Sequence, residues 1–223
     1  MVSPFAWFKW QALIRDWSVF GQGFANTLLA AALALALALG LGIVFGVFGA
    51  APVKLTRVLN RIYVEFIQNT PLVIQVFFLY NGLPHLGVML PVLVVGVLGV
   101  GVYHGAYIAE VVRAGIQSIH RGQLEAGLSQ GFSYVGAMRH IILPQAARVV
   151  LPPLTNQAVS LVKNTSVLAL IAGGDLMYHA DSWSSDTLYY GPAYVLVGVL
   201  YLIICYPLAT LARNLERRAG VSG

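Results

Sequence analysis

Between Asp16 and Lys54 the chain carries no charged residue, and over 24–48 it has hardly a polar one. A run of this kind exceeds the ~20 apolar residues that a helix needs to cross about 30 Å of hydrocarbon. The stretch ALALALAL inside it alternates like a strand, but a lone strand in lipid leaves its backbone groups unpaired, so the length predicts a helix. Four more apolar runs follow, at about 58–83, 88–112, 149–172 and 188–212. The second contains Glu65, Gln68, Asn69, Pro71 and Gln75, and the third His104 and Glu110. Lys163, Asn164, Thr165 and Ser166 fall in the fourth, while the fifth has no charge. The pattern predicts an all-α membrane protein, one domain over 1–223 with five transmembrane helices and its termini on opposite sides.

Composition agrees: 58% of residues are hydrophobic and 9% charged, where soluble domains have about a quarter charged. The net charge of +5 would suit nucleic acid if it were clustered on a soluble face, but the basic residues flank apolar runs and instead report topology. One face would hold Lys54, Arg57, Arg61, Arg113, Arg121, Arg139, Arg148, Arg213, Arg217 and Arg218, the other only Lys9 and Arg15. Basic loops are retained in the cytoplasm, which puts the N-terminus outside and the C-terminus inside. The 113–148 segment is then cytoplasmic, and the 173–191 segment, with Asp175, Asp181 and Asp186 and no base, is an outer connector. The N-terminus lacks the short apolar core and small-residue site of a cleaved signal and reads as uncleaved. Cys205 lies in an apolar run and reads as packing, and the five histidines show no metal-ligand spacing.

The polar interruption 121–144, RGQLEAGLSQGFSYVGAMRHIILP, is too polar to cross the bilayer and too rich in helix formers for a plain loop. Residues 123–130 can form two turns, Gly131 can end them in a left-handed cap, and Ser133 can start a second short surface helix. Pro144 suits the first turn of the next helix, where its missing N–H costs nothing.

Glu125-Ala126-Gly127, then Gly131 four positions after Gly127, then Ile141, Leu143 and Pro144, resemble the EAA loop of importer permeases of the ATP-binding-cassette type. Gly127 stands where that family usually has a second alanine. Gln68-Asn69-Thr70-Pro71-Leu72 and Ser160 through Ser166 are similar to segments of permeases for polar amino acids of the glutamate, glutamine, histidine and arginine type, and the matches cover most of 57–175. The resemblance implies cytoplasmic coupling helices between helices 3 and 4, seated in two cytoplasmic ATP-binding subunits that hold ATP and Mg. It also implies a second permease subunit, identical or similar, an extracytoplasmic amino-acid-binding protein, and a bacterial plasma (inner) membrane. The residues independently require such a partner. Lys9, Lys54 and Lys163 each follow a residue other than glycine, so no G-x-x-x-x-G-K-[ST] phosphate loop exists and no cofactor is expected in this chain.

The polar residues inside the apolar runs are the candidate pathway. Pro71 breaks the helix after Gln68, Asn69 and Thr70, leaving backbone groups for a zwitterion or for neighbouring helices. Lys163 is costly in lipid and is expected to face the interior, as a pathway residue or paired with Glu65 or Glu110. Glu65 lies four residues after Arg61 and Glu110 three before Arg113, so local ion pairs are expected. His104 reads as a packing residue. Asn164, Thr165 and Ser166 join Lys163 as pathway candidates; if Asn164 faces the pathway, its neutral amide with Lys163 beside it favours neutral or acidic amino acids over basic ones by a small margin, since Glu65 could supply a carboxylate for the latter. The alternative is an ion-coupled secondary transporter. An intramembrane enzyme using Ser160 or Ser166 with His104 is disfavoured, for no G-x-S-x-G elbow is present.

Overall fold

The computed structural model describes residues 3–218, among which every regular element is helical and there is no strand. Nine helices follow one another: α1 (Trp7–Arg15), α2 (Trp17–Ala50), α3 (Lys54–Gln68), α4 (Leu72–His85), α5 (Val92–Gln117), α6 (Arg121–Ser129), α7 (Tyr134–Ile171), α8 (Leu176–Thr187) and α9 (Tyr190–Arg218). By length and composition α2, α5 and α9 can cross a membrane, and five crossings result if α3 with α4, and α7 with α8, each count as one interrupted span.

Helices outlast the apolar runs that predict them, because helical turns continue through their polar ends. Two elements escaped the hydrophobic pattern. The outer connector expected at 173–191 contains α8, which Asp175 starts by accepting a hydrogen bond from Met177 N–H at 3.0 Å. Leu176, Ala180 and Trp183 then bury one face of it at helical spacing. The N-terminal α1 is short and amphipathic, and Asp16 separates it from α2.

Pro144 also behaves differently from expectation. It does not open a new helix, because α7 runs unbroken from Tyr134 and the second surface helix is simply its first turn. A π-helical turn, Met138–Ile142, makes this possible: Leu143 N–H donates to Met138 O, five residues back, just before the proline. The same device recurs in α4, where Phe78–Gly82 is π-helical and Leu83 N–H donates to Phe78 O just before Pro84. A widened turn absorbs the missing N–H and ring clash that proline brings to a helix interior.

The chain divides into two compact units. The first comprises residues 3–36, 71–101 and 159–207. Its core gathers Leu13, Phe20, Leu176, Ala180, Trp183 and Val197. Buried Thr27 accepts from Leu176 N–H at 2.9 Å, and Asn26 Nδ2 donates to Gly174 O at 2.8 Å, which fix the start of α8. Trp183 Nε1 donates to Asp16 Oδ2 at 2.9 Å, and that bond, followed by the neighbouring Arg15, holds the carboxyl below its usual range.

The second unit comprises 37–70, 102–158 and 208–218. In it Gly42, Gly46 and Gly49 form a stripe on α2 that lets the backbone approach α5. A Cβ on Gly46 would lie 2.7 Å from Ala109 O and 2.6 Å from Val112 Cβ. Tyr63 OH donates to Val102 O at 2.7 Å and its ring packs on Phe45, tying α3 to α5 and α2.

Candidate functional site

The interruption 121–144 is a capped, outward-facing elbow. His120 Nδ1 accepts from Gly122 N–H at 3.1 Å and starts α6. At the other end Gly131 N–H donates to Leu128 O and Phe132 N–H to Gly127 O, a paired closure that needs a left-handed residue at Gly131, whose φ is +88°. Ser133 Oγ then accepts from Gly136 N–H at 3.1 Å to begin α7. The cap residues expected from the pattern therefore hold their expected positions.

Gly127 is the buried member of its motif, whereas Glu125 and Ala126 are exposed. Its missing Cβ lets α6 settle onto α7, where such an atom would lie 2.7 Å from Ile141 Cδ1 and 3.2 Å from Ala137 Cβ. Around Glu125 the elbow also exposes Leu128, Phe132 and Val135, the last 72% accessible. Ile141 and Leu143 are half-buried behind this face, and Pro144 is exposed.

The intramembrane candidates separate into three groups. Glu65 and Gln68 share a groove of about 470 Å³ with Arg57, Asn60, Glu110 and Arg113. Both expected ion pairs are present there: Arg61 Nε donates to Glu65 Oε1 at 2.7 Å, and Arg113 engages both Glu110 oxygens, with its Nε 3.0 Å from Oε2. Arg57, which the sequence marked only as a topology signal, lies in this groove together with Asn60 and Gln117, which escaped the sequence reading. The signal was available, since 57, 60, 61, 64, 65 and 68 form one stripe at helical spacing.

Asn69 and Thr70 do not join that groove. Asn69 Nδ2 donates to Glu65 O at 2.7 Å and Thr70 Oγ1 to Phe66 O at 2.9 Å, so both cover the carbonyls that end α3. Pro71 precedes α4 as its cap residue, and Ile74 and Gln75 N–H both donate to Pro71 O. Lys163, Asn164, Thr165 and Ser166 lie where α7 tightens into a 3₁₀ turn over Thr165–Ile171. Thr165 is buried with its hydroxyl on Val162 O at 2.7 Å, and Ser166 Oγ donates to Lys163 O at 2.8 Å. Lys163 is exposed and forms no ion pair among the described residues. His104 is buried, with Nδ1 3.3 Å from Gln157 Oε1, a packing arrangement.

Residues 38–221, which include the elbow and the groove, match the family model described as binding-protein-dependent transport system inner membrane component. The chain belongs to that family. This inner membrane component is 45% identical over 206 residues to the "Probable glutamine ABC transporter permease protein GlnM" of Bacillus subtilis (strain 168), covering 92% of this chain and 95% of the relative. It is 36% identical over 159 residues to the "Glutamine transport system permease protein GlnP" of Escherichia coli (strain K12), at 70% and 73% coverage. Among solved structures, one described as "Crystal structure of an amino acid ABC transporter with histidines" aligns with a TM-score of 0.85 and 31% identity over 93% of this chain and 97% of that one. The MetNI methionine ABC transporter in an inward-facing form shares the fold, with a TM-score of 0.65 and 18% identity over 96% of this chain and 99% of that one. The inner membrane component is thus a membrane-spanning permease of the ATP-binding-cassette class.

In this permease Gly127→Ala is expected to change stability by less than about 1 kcal/mol, because alanine gains about that much helix propensity while the Ile141 methyl has to move aside. Thermal denaturation of the purified protein checks it. A loss above about 2 kcal/mol, in the range of overpacked cores, would show that Ile141 cannot yield.

Proposed function

We propose that this permease forms the translocation pathway of an ATP-driven importer for polar amino acids, with neutral or acidic ones favoured over basic. The elbow carries the reading: a doubly capped helix exposes Glu125 and Leu128, and the connector and helix that follow expose Phe132 and Val135. Exposed apolar side chains around one carboxylate suit a groove on a separate cytoplasmic ATPase, where Glu125 meets a basic group or N–H donors. Each of two ATP-binding subunits takes one elbow of a permease pair, and ATP with Mg is held by those subunits. Five crossings place the N-terminus outside and the C-terminus inside a bacterial plasma membrane, the basic ends lying inward. An extracytoplasmic binding protein delivers the amino acid. The relatives' glutamine names support the substrate class, and Lys163 beside Asn164 supports the preference for neutral or acidic side chains.

The test is reconstitution of the permease with its ATPase and binding protein in liposomes. Uptake of radiolabelled glutamine is expected only with ATP and all three components. Uptake that persists without the ATPase would overturn the proposal and favour an ion-coupled carrier.

A further inference from the structure

Helix α1 is too short to cross a membrane, since 9 residues rising about 1.5 Å each span about 14 Å against the ~30 Å of hydrocarbon. Its outer surface is nonetheless strongly apolar. Trp7, Trp10 and Ile14 recur at i, i+3 and i+7, which places them on one edge, with Trp7 68% and Ile14 62% accessible. Trp17, which opens α2, is exposed as well, so three of the four tryptophans in the chain gather here. The adjoining edge is polar and carries exposed Gln11 and Arg15.

The opposite side of α1 is occupied by the protein. Leu13 is buried in the core with Phe20 and Trp183, and Ala12 packs against it. Phe8 meets Tyr189 edge-on with 5.8 Å between ring centres, and Lys9 Nζ lies 5.4 Å from the centre of the same ring. Together with the bond from Trp183 to Asp16, these contacts fix the roll of α1 about its own axis. The tryptophan edge is therefore held outward by the fold.

What meets that edge follows from what the helix is joined to. After Asp16 no charge occurs until Lys54, and α2, which starts at Trp17, is long and apolar enough to cross a membrane. Arg15 and Asp16 mark the level at which α2 leaves lipid, and α1 lies directly beside them in the chain. The apolar surface continues along α2 with exposed Leu28, Leu29 and Leu33. Indole rings concentrate where hydrocarbon gives way to head groups, because they bury a flat apolar body while the N–H stays wet. The charges of α1 offer little to a protein partner: Lys9 is stacked on Tyr189, and Arg15 and Asp16 face each other at 3.3 Å.

We propose that α1 is an interfacial helix, lying along the lipid boundary of the leaflet from which α2 enters the membrane, with Trp7, Trp10, Ile14 and Trp17 set between head groups and acyl chains. The contact is apolar, so it does not select anionic over zwitterionic lipid. Through the Asp16–Trp183 bond and the shared core of Leu13 and Phe20, it moors α8 to the membrane surface.

Tryptophan fluorescence of the full-length permease tests this, in phosphatidylcholine nanodiscs whose chains carry bromine either near the head group or near the chain ends. The difference between the parent and Trp7→Phe isolates Trp7. Bromine near the head group is expected to quench that signal about twofold more than bromine near the chain ends, and aqueous iodide to quench it least. Ile14→Trp added to Trp7→Phe is expected to give the same order, so the outcome does not hang on one substitution. Replacing part of the lipid with phosphatidylglycerol is expected to change neither. Strongest quenching by iodide would put the edge in water, and strongest quenching by the deep bromine would put it inside the hydrocarbon; either overturns the assignment. So does a signal that depends on phosphatidylglycerol. A Trp7 signal indifferent to bromine, but shielded from iodide when the extracytoplasmic binding protein is added, also overturns it and makes the edge a protein contact.

Discussion

Glu125→Lys is expected to abolish ATP-driven uptake while leaving the permease folded and inserted. Glu125 is exposed on α6, and its backbone carbonyl, not its carboxylate, accepts the Ser129 hydroxyl at 2.9 Å. No bond among the described residues depends on its charge, so reversal acts on whatever the elbow meets. Like charges brought together at an interface cost several kcal/mol, enough to reduce uptake about tenfold or more. Proteoliposome uptake and substrate-stimulated ATP hydrolysis should fall together, with membrane yield and thermal stability near those of the parent. Normal uptake by this variant would remove Glu125 from the coupling surface.

Gly46→Leu is expected to do the opposite, acting on the stability of the fold rather than on the coupling surface. The new side chain would drive its Cβ to 2.7 Å from a backbone oxygen, Ala109 O, and to 2.6 Å from Val112 Cβ. A backbone atom in α5 cannot step aside as a side-chain tip can, so α2 and α5 must separate. Overpacking of this sort costs about 1–3 kcal/mol, and losing the tight helix contact adds to it. Gly40→Leu is the matched control, for a Cβ there meets nothing within 4 Å. Thermal denaturation in detergent should show a clear drop for the first and almost none for the second. Equal stability of the two would mean that the glycine stripe is not a packing device.

What the sequence revealed follows the range of the forces involved. Long apolar runs are a bulk property of the chain, so α2, α5 and α9 were legible. The caps of the elbow were legible too, because Gly131 and Ser133 act on neighbours within a few residues. Helix α8 was hidden, since its buried face comes from Leu176, Ala180 and Trp183 scattered among Asp and Ser, and what buries them is the distant Phe20. Pro144 misled because a proline after a polar stretch normally marks a helix start. The widened turn that carries α7 past it has no residue signature beyond the Leu-Pro pair it shares with Leu83-Pro84. In the groove, Glu65 and Glu110 found the local partners that their spacing predicted. Asn60 went unnoticed, and Arg57 was read only as a topology signal, because their place in the groove depends on α5, more than forty residues away.

The closure of α3 by Asn69 and Thr70 has a bearing on biosynthesis. Each side chain reaches a carbonyl only four residues behind it, so both bonds can form as soon as residue 70 has left the ribosome. An interrupted helix entering lipid would ordinarily wait for a later segment to cover its open carbonyls, at a penalty of several kcal/mol for each one left bare. Here Glu65 O, Phe66 O and Ile67 O are already covered from within the segment itself.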